Sequence, residues 1–269
     1  MAFKIKGLGA VEEEQSEVML PLVSQTTPCK CLVQVYFPHS NQTLTYFNDQ
    51  FNLKDGDIVF VEGKMELKRG IVKSIQKNFK IKIADYKKIV SVADTDVTGK
   101  LHFTETCVLS FDTMSLPYAK IRSWVLPPQN EEDIYETGSD ESSFLLDKLF
   151  AMDVTPAIFE RGKEYFFENR VTYVGIAEGR GKAIVEGENA YELDFDYADG
   201  EIRHLTCSCP CGYTCKHEVA AMFQLREILE DVTEYYAEEY KSSGCVAAVA
   251  KAAFFSMVLH RKKHGSIAL

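Results

Sequence analysis

The 269-residue chain lacks any apolar run long enough to cross a membrane. The longest, Val246 to Leu259, is broken by Lys251, whereas a spanning helix takes about 20 residues. The N-terminal MAFKIKGLG carries two lysines with no apolar segment behind them. No signal peptide and no membrane partner are therefore expected, and a cytoplasmic location is. In that reducing setting, clustered cysteines more often bind metal than form disulfides. Catalytic signatures are missing as well. There is no Gly-Lys-Ser/Thr phosphate loop and no His-Glu-x-x-His pair, and helicase motifs are absent. The chain is expected not to be an enzyme.

A strongly basic balance is also lacking. The net charge is −10, which excludes wholesale coating of nucleic acid but not a local basic face. The charge is uneven: +2 over residues 1–126, −6 over 127–150, −5 over 151–217 and −1 over 218–269. The acidic stretch after Pro127-Pro128, QNEEDIYETGSDESS, is polar and Gly/Pro-punctuated, and it reads as a linker over 127–143. It is either a solvated loop or a negative strip that competes with nucleic acid for a basic face.

Before the linker the pattern is mostly β. CLVQVYF, TLTYFN, DIVFVEG, GIVKSI and FKIKIA are short runs rich in β-branched and aromatic residues, separated by turn signals. They predict a small antiparallel β-barrel of SH3-like or OB-like type over residues 1–126. Thr95 to Leu126 is expected to add two strands and to pack Trp124 on the barrel. The stretch 63–88 holds nine lysines and arginines against two acidic residues. In FKIKIA, Phe79, Ile81 and Ile83 alternate with Lys80 and Lys82, so one strand face is apolar and the other basic. That face is either a solvated edge protected by lysines or a surface on which Lys73, Lys77, Lys80 and Lys82 contact phosphates of DNA or RNA. Lysine with almost no arginine favours backbone contacts over base readout.

After the linker, Ser142 and Ser143 can cap a short helix through Phe150. Thr155-Pro156 starts another, with Ile158, Phe159, Tyr165 and Phe166 on one face and Asn169 at its end. Four β segments follow, VTYVGIAE, KAIVEG, AYELDFDY and EIRHLT, an antiparallel meander by their turns. In the third, Tyr191, Leu193, Phe195 and Tyr197 alternate with Glu192, Asp194 and Asp196, so one face is core and the other acidic. The C-terminal VAAVAKAAFFSMVLHRKKHG reads as one amphipathic helix. His260, Arg261, Lys262 and Lys263 fall in its last turn and Gly265 can stop it. It docks on its own protein or on a partner.

The segment CSCPCGYTCKHE holds four of the eight cysteines. Cys207 and Cys209 form a C-x-C pair as the last strand ends. Cys215 and His217 form a C-x-H pair, and HEVAAMFQLREILE behind them has helical spacing. Three thiolates and one imidazole on a turn and a helix mouth fit a closed tetrahedral zinc site. The formal charge of the filled site is −1, which Lys216 can offset. Cys211 lies in the gap and could replace a neighbour. A zinc deaminase is excluded, because its P-C-x-x-C spacing and preceding H-x-E are not met. Cys29 and Cys31 form a second C-x-C without a nearby C-x-H and read as structural, as do Cys107 and Cys245. His204 reads as a surface or outer histidine rather than a ligand.

The run Cys207, Cys209, Pro210, Cys215, Lys216, His217 resembles the SWIM zinc fingers, whose pattern is C-x-C, a variable gap and C-x-H. The resemblance extends upstream through Arg161-Gly162, Tyr165-Phe166, Val171, Gly181, Ala183-Ile184-Val185, Gly187 and Tyr191. It covers roughly residues 150–230. The resemblance implies zinc as cofactor and a DNA- or protein-binding module of bacterial type. It also implies partners such as a separate Snf-type helicase.

The sequence thus predicts an α+β chain in four parts. These are a lysine-rich barrel at 1–126, an acidic linker at 127–143, a SWIM zinc module at 144–241 and a helical tail at 242–269. The expected role is an adaptor for nucleic acid, protein or both. The alternative is a purely protein–protein module.

Overall fold

The computed structural model describes residues 28–129 and 142–259. Most of the acidic stretch, and with it the centre of the expected linker, lies outside the described residues, as do His260 to Lys263 and Gly265. Helix and sheet are both present, as an α+β chain requires.

The N-terminal region forms a five-stranded antiparallel sheet. Its strands are β1 (Cys31–Phe37), β2 (Gln42–Asn48), β3 (Ile58–Val61), β4 (Gly70–Gln76) and β5 (Ile89–Val92), in the order β2-β1-β4-β3-β5. Period-2 alternation along β1 sends Val33, Val35 and Phe37 into a small core with Tyr46, Val59, Val61 and Val72. Gly70 is required at the start of β4, since a Cβ there would lie 2.2 Å from Val35.

Two expectations fail here. The sheet is not a closed barrel. Its edge strands β2 and β5 approach each other through the Phe47–Lys88 bridge and the Phe47 N–H bond to Lys87 O, with no continuous ladder between them. FKIKIA is not a strand either. It is a loop that ends in a single 3₁₀ turn at Ile83–Asp85, and the fifth strand is Ile89–Val92 instead. Phe79 packs edge-on against Phe47, 6.0 Å between centroids, so one aromatic contact anchors the loop in place of a ladder.

The remainder builds around an eight-stranded antiparallel sheet. Its strands are β6 (His102–Phe103), β7 (Cys107–Ser110), β8 (Ser143–Leu145), β9 (Val171–Ala177), β10 (Arg180–Glu186), β11 (Ala190–Ala198), β12 (Glu201–Cys207) and β13 (Cys245–Ala250). The order is β6-β7-β13-β9-β10-β11-β12-β8. The meander β9–β12 is as its turns predict. Around it, three placements differ from expectation. The segment before the linker supplies β6, β7 and α1 (Tyr118–Val125) to this sheet, not two strands to the first one. Ser143 starts strand β8, and the turn behind it is 3₁₀ at Leu146–Ala151. The expected C-terminal helix is split into β13, paired between β7 and β9, and the short α5 (Lys251–Val258).

Both faces of this sheet are covered. Three helices complete the chain: α2 (Pro156–Phe167), α3 (Lys216–Tyr235) and α4 (Ala237–Ser243). One face packs on α3: Val174, Ala183, Val185, Leu193, Ile202 and Ala248 meet Val219, Met222, Leu225 and Ile228. The other packs on α1 and α5: Val108, Tyr173, Ile184 and Val249 meet Ile121, Trp124 and Phe254. Along β13 successive residues alternate between these two cores, Val246 and Ala248 to one, Ala247 and Val249 to the other. Trp124 therefore belongs to this second core rather than to the small N-terminal one, with its indole N–H donating to Asp94 O at 2.7 Å.

Helix α2 is capped by Thr155, whose hydroxyl accepts from Ile158 N. It lies against α3 at Gly162, where an added Cβ would sit 2.4 Å from Val219. Gly162→Ala is therefore expected to lower stability by about 1–3 kcal/mol, read as a fall in the urea midpoint, although alanine is the better helix former. An unchanged or raised midpoint would show that the two helices can part without cost.

Candidate metal centre

Strand β12 delivers Cys207 at its end, paired with Leu193 across β11. The turn is fastened at Ser208: its N–H donates to Glu192 O at 2.9 Å, and Glu192 N–H donates to its hydroxyl at 2.9 Å. Cys209 follows in the turn. Cys215 is the N-cap of α3, and His217 lies in the first turn of that helix. The Cys215 N–H donates to the Glu218 carboxylate at 2.7 Å, so the buried acid caps the helix at the point where a ligand must be held.

The ligand atoms of Cys207, Cys209, Cys215 and His217 all lie within 4.8 Å of one another. His217 turns Nδ1 toward the sulfurs, 3.5 Å from Cys215 and 3.9 Å from Cys207. Bond lengths of about 2.3 Å for zinc–sulfur and 2.0–2.1 Å for zinc–nitrogen make the S···N edge of a tetrahedron about 3.5 Å. The two sulfur–nitrogen spacings at His217 are compatible with a shared zinc ion. Three are buried and Cys207 is half-buried, while Cys211 is exposed and stands outside the cluster. Soft thiolates with one imidazole suit zinc.

Electrostatics points the same way. Without a cation, the Cys207 hydrogen bond and His217 hold the Cys215 thiol down to about 4 against the opposing effect of burial. Burial pushes Cys209 up to about 12, and the hydrogen bond to Cys215 together with burial pushes Cys207 up as well. Three thiolates at this spacing would repel one another, so ionising one raises the cost of ionising the others. A dication removes the conflict.

The wall around the imidazole comes from elsewhere in the chain. Tyr191 lies over His217 at 4.5 Å between centroids, and Tyr165 of α2 meets it edge-on at 5.6 Å. Tyr165 is flanked by Lys216 at 4.4 Å and Arg170 at 4.7 Å from its ring, two cations beside a site of net negative formal charge. Gly187 closes the Nε2 side. A Cβ there would stand 3.1 Å from Nε2 and 3.2 Å from Tyr191.

The structure brings together the four residues that the sequence singled out, Cys207, Cys209, Cys215 and His217. Sequence reasoning missed the roles of Tyr165, Tyr191, Gly187, Ser208 and Glu218, although three of these had been marked as part of the motif's lead-in. The acidic face of β11 is not a free charged surface. Glu192 is paired with Arg122 and accepts from Tyr118, Asp194 is paired with Lys182, and Asp196 with His204. His204 is thus an exposed partner of Asp196 and no ligand.

The family model of the SWIM zinc finger matches residues 192–225, from Glu192 on β11 to Leu225 in α3. This segment is similar to the SWIM zinc fingers, and the Cys/His cluster is compatible with a zinc module. The match covers a small part of the chain, and the four clustered residues fall inside it. No curated protein and no solved structure matches the chain.

The elements bracketing the SWIM finger, α2 and β9–β11, supply the walls of its metal pocket. Cys209→Ala or His217→Ala should abolish stoichiometric zinc binding, measured by metal analysis after dialysis, while Cys211→Ala should retain one ion per chain. Zinc retained by Cys209→Ala but lost by Cys211→Ala would overturn the assignment. Loading must expel the protons favoured on Cys207 and Cys209, whose thiols are pushed up in the empty cluster. Raising the pH removes these competing protons, so chelator competition should show affinity rising with pH. A pH-independent affinity would mean that the thiols are already ionised.

Proposed function

We propose that the chain is a non-catalytic binding protein in which one structural zinc ion holds the SWIM finger. The observation that supports a structural role is the closed donor set. Cys207, Cys209, Cys215 and His217 would together supply the four protein ligands of a structural zinc site, which needs none from water or substrate. When bound, the ion supplies folding free energy on the order of 10 kcal/mol. The chain's own residues do the rest: Glu218 caps the ligand helix, Ser208 fastens the turn, and Tyr191 and Gly187 fix the imidazole plane.

Contact with nucleic acid, in this reading, belongs to the five-stranded sheet. Lys73, Lys77, Lys80 and Lys82 are exposed, and none of them is in an ion pair among the described residues. By contrast Arg69, just before β4, is paired with Glu186. Lysines outside ion pairs, Lys73 on β4 and Lys77, Lys80 and Lys82 on the loop behind it, suit phosphate contacts of low sequence preference. The alternative, a purely protein-binding module, draws support from exposed aromatic side chains of the C-terminal region. Phe150, Phe167, Tyr213 and Tyr235 are each more than half exposed. A Snf-type helicase as the protein partner rests on the resemblance alone. Among the described residues no helix is long and apolar enough to cross a membrane.

The full-length chain should bind single- or double-stranded nucleic acid with an affinity that falls with salt. The log–log slope should be about −0.7 to −0.9 per phosphate contact, near −3 for four contacts. Lys80→Glu with Lys82→Glu should flatten it by about two contacts. Weak binding at low salt only, indifferent to which lysines are replaced, would retire the nucleic-acid role and leave the protein-binding one.

A further inference from the structure

Residues 186–192, the β10–β11 turn and the start of β11, touch the metal centre on one side and the five-stranded sheet on the other. On the metal side, Gly187 stands against His217 Nε2, Tyr191 covers its ring, and Glu192 clamps Ser208 between the first two cysteines. On the other side, the chain just before β4 reaches across. Lys68 Nζ donates to Glu188 O at 2.7 Å and to Asn189 Oδ1 at 2.9 Å. Arg69 pairs with Glu186 at 2.9 Å. Glu186 is in turn fixed by the Thr172 hydroxyl at 2.7 Å, and Gly187 N–H donates to Asn189 O at 2.7 Å, closing the turn.

The turn therefore has little freedom of its own. Lys68 and Arg69 grip it at 186, 188 and 189, on both sides of the glycine that backs the imidazole. Any rigid shift of the five-stranded sheet that keeps these bonds moves Gly187 relative to His217. With only 3.1 Å of clearance for a Cβ at that position, the ring cannot follow freely.

We propose that Lys68 and Arg69 are positioning residues of the SWIM metal centre, and that zinc occupancy and docking of the five-stranded sheet are thermodynamically linked through residues 186–192. The linkage is reciprocal. Zinc sets the turn in the form that the two cations grip, and the grip preorganises His217 for zinc. The proposal rests on the zinc reading given above.

The test is zinc affinity by chelator competition on the full-length chain, with the ligand-field bands of the cobalt-substituted site as a second readout. Lys68→Ala with Arg69→Ala should weaken zinc binding about five-fold or more, at the low end of typical coupling between sites, and should shift the cobalt bands. Arg69→Lys, which keeps the charge opposite Glu186, should recover part of the loss. Lys88→Ala is the control. It breaks the Lys88–Asp49 pair within the same sheet, at 2.9 Å, without reaching the turn, and should leave affinity and bands unchanged. The two single alanine variants guard against a double variant that does not fold. Unchanged affinity and bands in the single and double variants would overturn the linkage, as would an equal loss in the Lys88→Ala control. A wild-type chain that takes up no zinc at all would instead overturn the metal reading itself.

Discussion

Like charges at short range constrain everything near the metal centre. Three cysteine sulfurs and an imidazole nitrogen converge within 4.8 Å. In the absence of a cation that convergence opposes ionisation of Cys207 and Cys209. The fold nevertheless holds the donors in place. The turn after the strand is tied by the Ser208 N–H to Glu192 O, and the start of the helix by the Cys215 N–H to the Glu218 carboxylate. The elements around the cluster are committed to it. Helix α2 brings Tyr165, the β10–β11 turn brings Gly187, and β11 brings Tyr191. Helix α3 runs from the ligand His217 into the core against the large sheet. A change at the metal is thus felt along the helix that covers one whole face of that sheet.

The donors were legible in the sequence because the chemistry is local. Two pairs with one-residue spacings, five residues apart, declare themselves without any knowledge of the fold. The meander before them was legible too, since each turn carries Gly, Asn or Asp and the strands between are short. The barrel was not. Its five runs predict strands but not closure, and closure depends on whether the edges of β2 and β5 meet over a ladder or at a single residue.

The other misreadings share a physical cause. CVAAVA is buried on both faces, so it shows no alternation and looks like half of an apolar helix. FKIKIA shows perfect alternation yet forms no ladder, because pattern reports which residues want burial and not whether a neighbouring strand is available. The four residues of β5 are too few to show a period. The contacts of Lys68 and Arg69 with the β10–β11 turn span more than a hundred positions in sequence. No local pattern carries them.

The position of β13 has a consequence for the order of events during synthesis. This strand comes from near the C-terminal end of the described chain, yet it sits between β7 and β9 in the middle of the sheet. Until residue 250 has emerged, β6–β7 has no bond to the meander, and each side presents an open edge lined with unpaired backbone groups. The metal ligands are translated well before that. The finger can load its ion while the sheet is still in two halves, and the last strand then closes the gap. A nascent chain exposed through α3 but not yet to residue 245 would carry the assembled ligand residues on a sheet with two open edges, a form prone to pair with another copy of itself.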